Sequence, residues 1–207
     1  MFLLYFLASS ILSAVISYGV YRIAFRYRLF DHPNATRKQH HTPTPNVGGI
    51  ALFITFWIVV ALFMFLNNVA GSYVKYLIGL FVGSTLLFGV GMYDDRRALS
   101  SGIKITVQLL SALVIIAAGV GITFINNPFG GFIFLDQIKI PLSLFGGIYT
   151  ITLLADLFAL IWIVGMINVI NFLDGLDGLA SGVAAIAFFV IYIVSINPLV
   201  AQPLSGI

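Results

Sequence analysis

The chain lacks cysteine and glutamate, and only 8% of its 207 residues carry a charge. Without cysteine there are no disulfides, no thiolate nucleophile and no thiolate-bound metal. The scarcity of charge, together with 60% apolar residues and a mean hydropathy of +1.09, excludes a soluble domain. These proportions are typical of an all-α, polytopic integral membrane protein, with the lipid bilayer as its solvent.

Six apolar runs are long enough to cross the roughly 30 Å of a bilayer core as helices. They fall at about 2–24, 48–67, 75–93, 103–124, 148–172 and 179–197. No internal repeat or low-complexity linker separates them, which predicts a single transmembrane domain over residues 1–207. The first run has no charged leading segment and no small-residue cleavage site, so we interpret it as a retained span.

Basic residues are distributed unequally between the two faces of this predicted bundle. The loops after spans one and three carry Arg22, Arg26, Arg28, Arg37, Lys38, Arg96, Arg97 and Lys104. The opposite face carries only Lys75 and Lys139. The positive-inside rule then predicts an external N-terminus and two cytoplasmic basic loops. Because these residues form no basic stripe on a soluble face, they do not indicate nucleic-acid binding.

Three polar segments reach the predicted cytoplasmic face, at residues 31–49, 93–97 and 168–181. Spans one, three and five all end on this face, so the convergence of these segments follows from topology alone. The sequence therefore predicts a functional site at the cytoplasmic border of the membrane.

The third polar segment carries a polar side chain at every third position. Asn168, Asn171, Asp174 and Asp177 would form a slowly drifting stripe on a helix. An aspartate within the membrane costs about 3 kcal/mol, so aspartates beside hydrocarbon indicate function. Hard oxygen donors favour Mg²⁺ or Mn²⁺ that also binds substrate phosphates. The alternative is a helix C-cap and a turn, which explains one Asp-Gly pair better than two.

Asp94 and Asp95 end another apolar run. Adjacent carboxylates on a helix point about 100° apart, so one can face a metal while the other faces a substrate. The alternative is a span terminus at which both acids pair with Arg96 and Arg97. Negative charge is disfavoured at a helix C-terminus, which favours the functional interpretation.

The first cytoplasmic loop contains all three histidines and three prolines, which rule out a continuous helix. Arg37 and Lys38 can clamp phosphate oxygens, and we assign His41 with them to substrate binding. Gly48 and Gly49 allow backbone N–H groups at the start of span two to approach an anion. A solvated basic loop is the alternative, and it explains the cations better than the glycines.

The outer loop at 125–147 is apolar and rich in glycine. Residues 132–136 and 138–141 are predicted to pair with each other as a small hairpin. Asp136 and Asp156 lie toward the outer face in this topology, and we assign them no functional role.

These motifs together resemble those of the polyprenyl-phosphate N-acetylhexosamine-1-phosphate transferases, a family of integral membrane enzymes that includes the phospho-MurNAc-pentapeptide translocase. The similar stretches are the first-loop pattern Asp31-x-Pro-Asn, Arg37-Lys-x-His and Pro45-x-Val-Gly-Gly, the pair Asp94-Asp95, and the signature Asn168-x-x-Asn-x-x-Asp-Gly-x-Asp-Gly-Leu-Ala. The first loop is closer to the GlcNAc-1-phosphate branch of the family than to the translocase.

The resemblance implies an Mg²⁺-dependent transfer of a sugar-1-phosphate, expected to be GlcNAc-1-phosphate, from a UDP-N-acetylhexosamine to undecaprenyl or another polyprenyl phosphate. UMP would be released, and the product would initiate a cell-envelope polysaccharide such as an O-antigen. The expected location is the bacterial inner membrane, with the active site on its cytoplasmic face. A homodimer is left open.

The resemblance also implies roles for particular side chains. The metal, Mg²⁺ or Mn²⁺, would be held by Asn171 with Asp174 or Asp177. Asp94 would activate or orient the lipid phosphate, with Asp95 supporting it or the metal. The residues expected to bind substrate are Arg37, Lys38, His41, Gly48, Gly49 and Asn168.

The chain departs from the family pattern in its length. Members of the family have about ten or eleven spans, and a later Gly-Asp-x-Gly segment and a histidine-rich loop have no counterpart here. The sequence therefore predicts a fragment or part of a split protein. Two alternative functions are a catalytically incomplete remnant with a binding role and a transporter with acids at its span ends. A CDP-alcohol phosphatidyltransferase is disfavoured, because Ala-Arg does not follow Asp174-Gly.

Overall fold

The computed structural model describes residues 2–27, 30–31, 44–45, 47–68, 71–144, 147–176 and 178–196. Its helices are α1 (Phe2–Tyr27), α2 (Gly48–Asn67), α3 (Val74–Asp94), α4 (Ser101–Ala117), α5 (Leu153–Leu173) and α6 (Leu179–Ile196), with a short 3₁₀ turn at Gly71–Tyr73. Its strands are β1 (Phe30–Asp31), β2 (Thr44–Pro45), β3 (Phe124–Asn126), β4 (Phe132–Phe134), β5 (Lys139–Leu144) and β6 (Gly147–Thr152).

Within the described residues, every helix except α4 is long and apolar enough to cross a membrane, which gives five candidate spans. The 20 residues of α2 reach about 30 Å, the thickness of a bilayer core. The 17 residues of α4 reach about 25 Å. This architecture confirms the predicted all-α, polytopic membrane protein.

The fourth and fifth apolar runs are divided between helix and strand. The run predicted at 103–124 is helical only to Ala117, where the N–H of Gly119 donates to the Ile116 oxygen at 2.7 Å. Gly119 has a φ of 98°, a value that favours glycine and turns the chain out of the helix. The run predicted from 148 begins as β6, and its helix starts at Leu153. An apolar run alone does not distinguish a helix from a strand at its ends.

The outer loop forms two hairpins instead of the single predicted one. β4 pairs with β3, and β5 pairs with β6, all antiparallel. The predicted pairing of 132–136 with 138–141 is therefore wrong, although both segments contain strand residues. The turn lies earlier, at Gly130 and Gly131, whose φ angles of 110° and 79° are readily adopted by glycine.

α4 lies between α3 and α5 and contacts both. Gly79 and Gly83 are buried on α3, four residues apart, and small residues at this spacing let two membrane helices approach closely. A Cβ added at Gly83 would lie 2.8 Å from Cγ1 of Ile115 and 3.0 Å from the carbonyl oxygen of Ser111. The α3–α4 contact therefore depends on the absence of a side chain at this position.

Two short strands between α1 and α2, β1 and β2, pair with Phe30 opposite Pro45 and Asp31 opposite Thr44. The predicted substrate-binding residues Arg37, Lys38 and His41 lie outside the described residues, and so does Asp177.

Candidate active site at the ends of α3, α4 and α5

The carboxylate of Asp94, the last residue of α3, is held by α4 and by the turn between the two helices. Nζ of Lys104 lies 2.7 Å from Oδ2 of Asp94, and the backbone N–H of Leu99 donates to Oδ1 at 2.8 Å. Arg96 does not take this place, since its Nη1 donates to the carbonyl oxygen of Met92 at 3.2 Å. The first turn of α4 thus supplies the cation beside Asp94, and both carboxylate oxygens are engaged.

A second polar contact joins α4 to α5 one turn further along. Nδ2 of Asn168 donates to Oε1 of Gln108 at 2.8 Å, and Nε2 of Gln108 lies 3.5 Å from Oδ1 of Asn168. The same Nδ2 also donates to the carbonyl oxygen of Val164 at 2.8 Å. Both amides are partly buried, so this contact replaces hydration that the membrane border supplies poorly.

These two contacts lie on one face of α4, because Lys104 and Gln108 are four residues apart. The segment that ends α3 and the segment that ends α5 are therefore tied to the same helix. α4 therefore connects Asp94 to Asn168 through Lys104 and Gln108.

The sequence interpretation missed Lys104 and Gln108 as members of the site. The sequence pattern predicts Lys104 only as an orientation signal and assigns no role to Gln108. Both could have been found from the composition of α4, in which Lys104 is the only charged residue and the surroundings of Gln108 are apolar.

Asn171 and Asp174 lie at the end of α5, where both are exposed. Asp174 is the C-cap of the helix, and its N–H donates to the carbonyl oxygen of Ile170 at 3.1 Å. Gly178 follows with a φ of 78°, so a turn requiring glycine leads into α6. The local backbone has the helix C-cap and the turn that the alternative interpretation of the sequence predicts, and it leaves the amide of Asn171 and the carboxylate of Asp174 exposed.

The donor chemistry at this border fits a magnesium ion. Among the described residues, no group of three or more His, Cys, Asp or Glu side chains lies close enough to hold a metal. Mg²⁺ is commonly held by one or two carboxylates together with water and substrate phosphates, so it does not require such a group. The oxygens of Asn171 and Asp174 suit this mode of binding.

The backbone at the start of α2 is open. Gly48 and Gly49 are the first two residues of the helix, and a Cβ added at either would meet nothing within 4 Å. The N-cap residue Val47 makes no side-chain hydrogen bond to the first turn. This opening is the feature that the predicted anion contact requires.

Two further aspartates have structural contacts at the opposite end of α5. Oδ2 of Asp156 accepts a hydrogen bond from the N–H of Thr152 at 2.9 Å, where a carboxylate stabilises the start of a helix. Asp136 forms an ion pair of 3.2 Å with Lys139. Asp156 lies about 27 Å along the helix from Asp174, because 18 residues separate the two.

Comparison with known proteins gives a consistent set of relatives. A probable undecaprenyl-phosphate N-acetylglucosaminyl 1-phosphate transferase of Bacillus subtilis (strain 168) is 31% identical over 125 residues, covering 60% of this chain and 33% of the relative. A decaprenyl-phosphate N-acetylglucosaminephosphotransferase of Mycobacterium tuberculosis (strain ATCC 25618 / H37Rv) is 34% identical over 106 residues, covering 49% and 26%. A protein of the same description from Mycolicibacterium smegmatis (strain ATCC 700084 / mc(2)155) is 32% identical over 136 residues, covering 61% and 33%.

The match therefore covers about a third of the length of these relatives or less. No solved structure matches the chain significantly. The family model described as glycosyl transferase family 4 matches residues 77–204, a range that contains both acidic segments, Lys104 and Gln108. Since this range is more than half of the sequence, the chain belongs to glycosyl transferase family 4.

Proposed function

We propose that this chain forms part of an enzyme that transfers a sugar-1-phosphate from a UDP-N-acetylhexosamine to a polyprenyl phosphate. The expected sugar is GlcNAc, because the relatives in Bacillus and Mycobacterium are described as N-acetylglucosamine-1-phosphate transferases. The observation that carries the proposal is a pair of polar residues on α4. Lys104 contacts Asp94 at the end of α3, and Gln108 contacts Asn168 near the end of α5. A soluble nucleotide-sugar and a lipid phosphate can meet only at such a border.

The reaction is a phosphoryl transfer between two anions. An oxygen of the polyprenyl phosphate attacks the β-phosphorus of the UDP-sugar and forms a new P–O–P linkage. The bond between that phosphorus and the bridging oxygen breaks, and UMP leaves with the bridging oxygen and the electron pair. The attacking phosphate monoester is largely ionised at neutral pH, so the protein has mainly to align the reactants and neutralise their charge.

Asp94 is the proposed catalytic residue that orients or activates the lipid phosphate. Its two oxygens are fixed by Lys104 and by the N–H of Leu99, which gives the carboxylate a defined direction. The ammonium of Lys104 also offsets the negative charge of Asp94 where two phosphates must approach. Asp95 is proposed to support Asp94 or the metal.

Asn171 and Asp174, with Asp177, would hold Mg²⁺, which when bound supplies positive charge to the diphosphate. Arg37 and Lys38 would bind phosphate oxygens, since planar guanidinium and compact ammonium groups are suited to this contact. His41 and the backbone of Gly48 and Gly49 complete the proposed substrate-binding set. The cytoplasmic side of a bacterial inner membrane is the proposed location.

The proposal is tested by label transfer in membranes that contain the complete enzyme of which this chain forms part. With radiolabelled UDP-GlcNAc, undecaprenyl phosphate and Mg²⁺, label should enter the lipid phase and UMP should appear in equal amount. Asp94→Asn should lower the rate about a hundredfold, a typical contribution of a positioned acid–base group. Asp136→Asn is the matched control and should retain the rate. No lipid-bound label, or equal rates for the two variants, would overturn the proposal.

A further inference from the structure

The amide of Asn168 is committed to contacts within the protein. Its Nδ2 group donates one hydrogen bond to Oε1 of Gln108 and another to the carbonyl oxygen of Val164, each at 2.8 Å. An amide nitrogen has two hydrogens, so its donor capacity is used. The side chain of Asn168 therefore connects α5 to α4, and its amide has no N–H left to donate to a substrate.

Gln108 is the partner that makes this tie specific. It lies on α4 among apolar residues, next to Val107 and Leu109, and its carbonyl oxygen accepts the shorter of the two amide contacts. A polar side chain in hydrocarbon raises the free energy of the protein unless it has a hydrogen-bond partner. Hydrogen-bonded pairs of polar side chains therefore help to fix the packing of membrane helices.

The contact between Gln108 and Asn168 determines which residues of α4 and α5 face each other further along the two helices. α4 and α5 run antiparallel, because Gly121, just after α4, lies against Asp156 at the start of α5, while Gln108, in the middle of α4, contacts Asn168 near the end of α5. Lys104 lies about 6 Å beyond Gln108 along α4, and Asn171 lies about 4.5 Å beyond Asn168 along α5, toward the same end.

We propose that Gln108 is a positioning residue that acts through Asn168. The hydrogen-bonded amide pair fixes the position of α5 along the axis of α4, and so places Asn171 and Asp174 opposite Asp94 and Lys104. This assigns Asn168 a different role from the substrate contact expected from the sequence. The inference rests on the proposed function, because it concerns the divalent-cation and phosphate site of that function.

Cross-linking tests the helix contact without any activity. The chain contains no cysteine, so Gln108→Cys with Asn168→Cys gives a single thiol pair. A protease site inserted between Gly130 and Gly131, at an exposed loop tip, separates the two helices into two fragments. After treatment with a short bifunctional thiol reagent and cleavage, the pair should remain one band. Leu109→Cys with Asn168→Cys should give two bands, and two bands from both pairs would overturn the proposed contact.

Binding of Mn²⁺ to the purified chain in lipid nanodiscs, with UDP-GlcNAc present and its own binding of Mn²⁺ in solution subtracted, is followed by electron paramagnetic resonance and tests the positioning role. Gln108→Met keeps the length of the side chain and removes the hydrogen-bond acceptor. It should weaken Mn²⁺ binding about tenfold, as does the loss of a residue that orients metal ligands. Gln108→Glu keeps an acceptor oxygen and should retain most of the affinity, and Gln137→Met on the outer hairpin should leave it unchanged.

The outcomes separate the two proposals. Unchanged Mn²⁺ binding by Gln108→Met, with normal binding by the unaltered chain, would overturn the positioning role alone. Absence of Mn²⁺ binding by the unaltered chain would overturn the proposed metal site and the positioning role that depends on it. Equal loss in Gln108→Met and Gln108→Glu would also contradict the inference, because only one of them removes the acceptor.

Discussion

Lys104 and Asp94 form an ion pair of 2.7 Å across the turn that joins α3 to α4. The pair connects the first turn of one helix to the last residue of its neighbour, so it fixes a carboxylate at the end of a membrane helix. No pattern within either helix requires this contact, and it arises from the short connection between them.

Lys104→Met should lower the rate of label transfer about tenfold, because Asp94 loses the cation that orients it and offsets its charge. Lys104→Arg should retain part of the rate, since it keeps the charge with a different geometry. Lys139→Met breaks an ion pair at the outer hairpin and serves as the matched control. A rate for Lys104→Met equal to that of the control would refute the role of this pair.

Gly83→Ala should destabilise the chain by about 1–3 kcal/mol, the usual cost of overpacking, because its Cβ would meet Ile115 at 2.8 Å. Gly89→Ala is the matched control on the same helix, since an added Cβ there meets nothing within 4 Å. Thermal unfolding in detergent, followed by loss of the monodisperse peak, compares the two variants. Equal midpoints would show that α3 and α4 are not in close contact at Gly83.

Much of this fold could be predicted from the sequence, because long apolar runs have few solutions in a bilayer. The five long apolar helices and the polar ends of α3 and α5 follow from the lengths of the apolar runs and the positions of the polar residues between them. The hairpins between α4 and α5 could not be assigned correctly, because residues 118–124 and 147–152 adjoin the neighbouring helical runs without a charged residue or a proline between them. In the described part of this region, the glycines at 119, 130 and 131 have the positive φ angles that accompany the change of backbone direction.

The contacts of the site were less predictable than its location. The alternative interpretation of the sequence pairs Asp94 with the neighbouring arginines, whereas the structure supplies Lys104 from the next helix. The resemblance predicts Asn168 as a substrate-binding residue, whereas its side-chain amide bonds to Gln108. Sequence spacing gives the face of a helix on which a residue lies. Which of these residues forms a hydrogen bond between helices depends on the side chains of the neighbouring helix.

Asn171→Ala should raise the Mg²⁺ concentration that gives half-maximal label transfer by about tenfold or more, because it removes an oxygen proposed to hold the ion. Asn126→Ala, in the outer hairpin, is the control and should leave this concentration unchanged. A titration of label transfer against Mg²⁺ measures both. An unaltered Mg²⁺ requirement in Asn171→Ala would remove this residue from the metal site.

The orientation of the chain can be read from two reporter fusions. A reporter that works only in the cytoplasm should be active when it is fused after Ala98, in the turn between α3 and α4. Fused after Asn126, at the end of β3, it should be inactive, because this position is expected to lie outside. The unequal distribution of Lys and Arg is the physical reason. The opposite pattern would separate the proposed site from the cytoplasmic UDP-sugars.

The proposed site requires the ends of α3 and α5 to lie together at one end of α4, and a distance measurement between spin labels tests this. Arg96→Cys with Leu176→Cys labels the two ends, and Arg96→Cys with Asn126→Cys labels opposite ends of α4. The first distance should be clearly shorter than about 25 Å, the length of α4, and the second should be at least that long. A first distance as long as the second would contradict the account, because the two acidic segments could not then form one site.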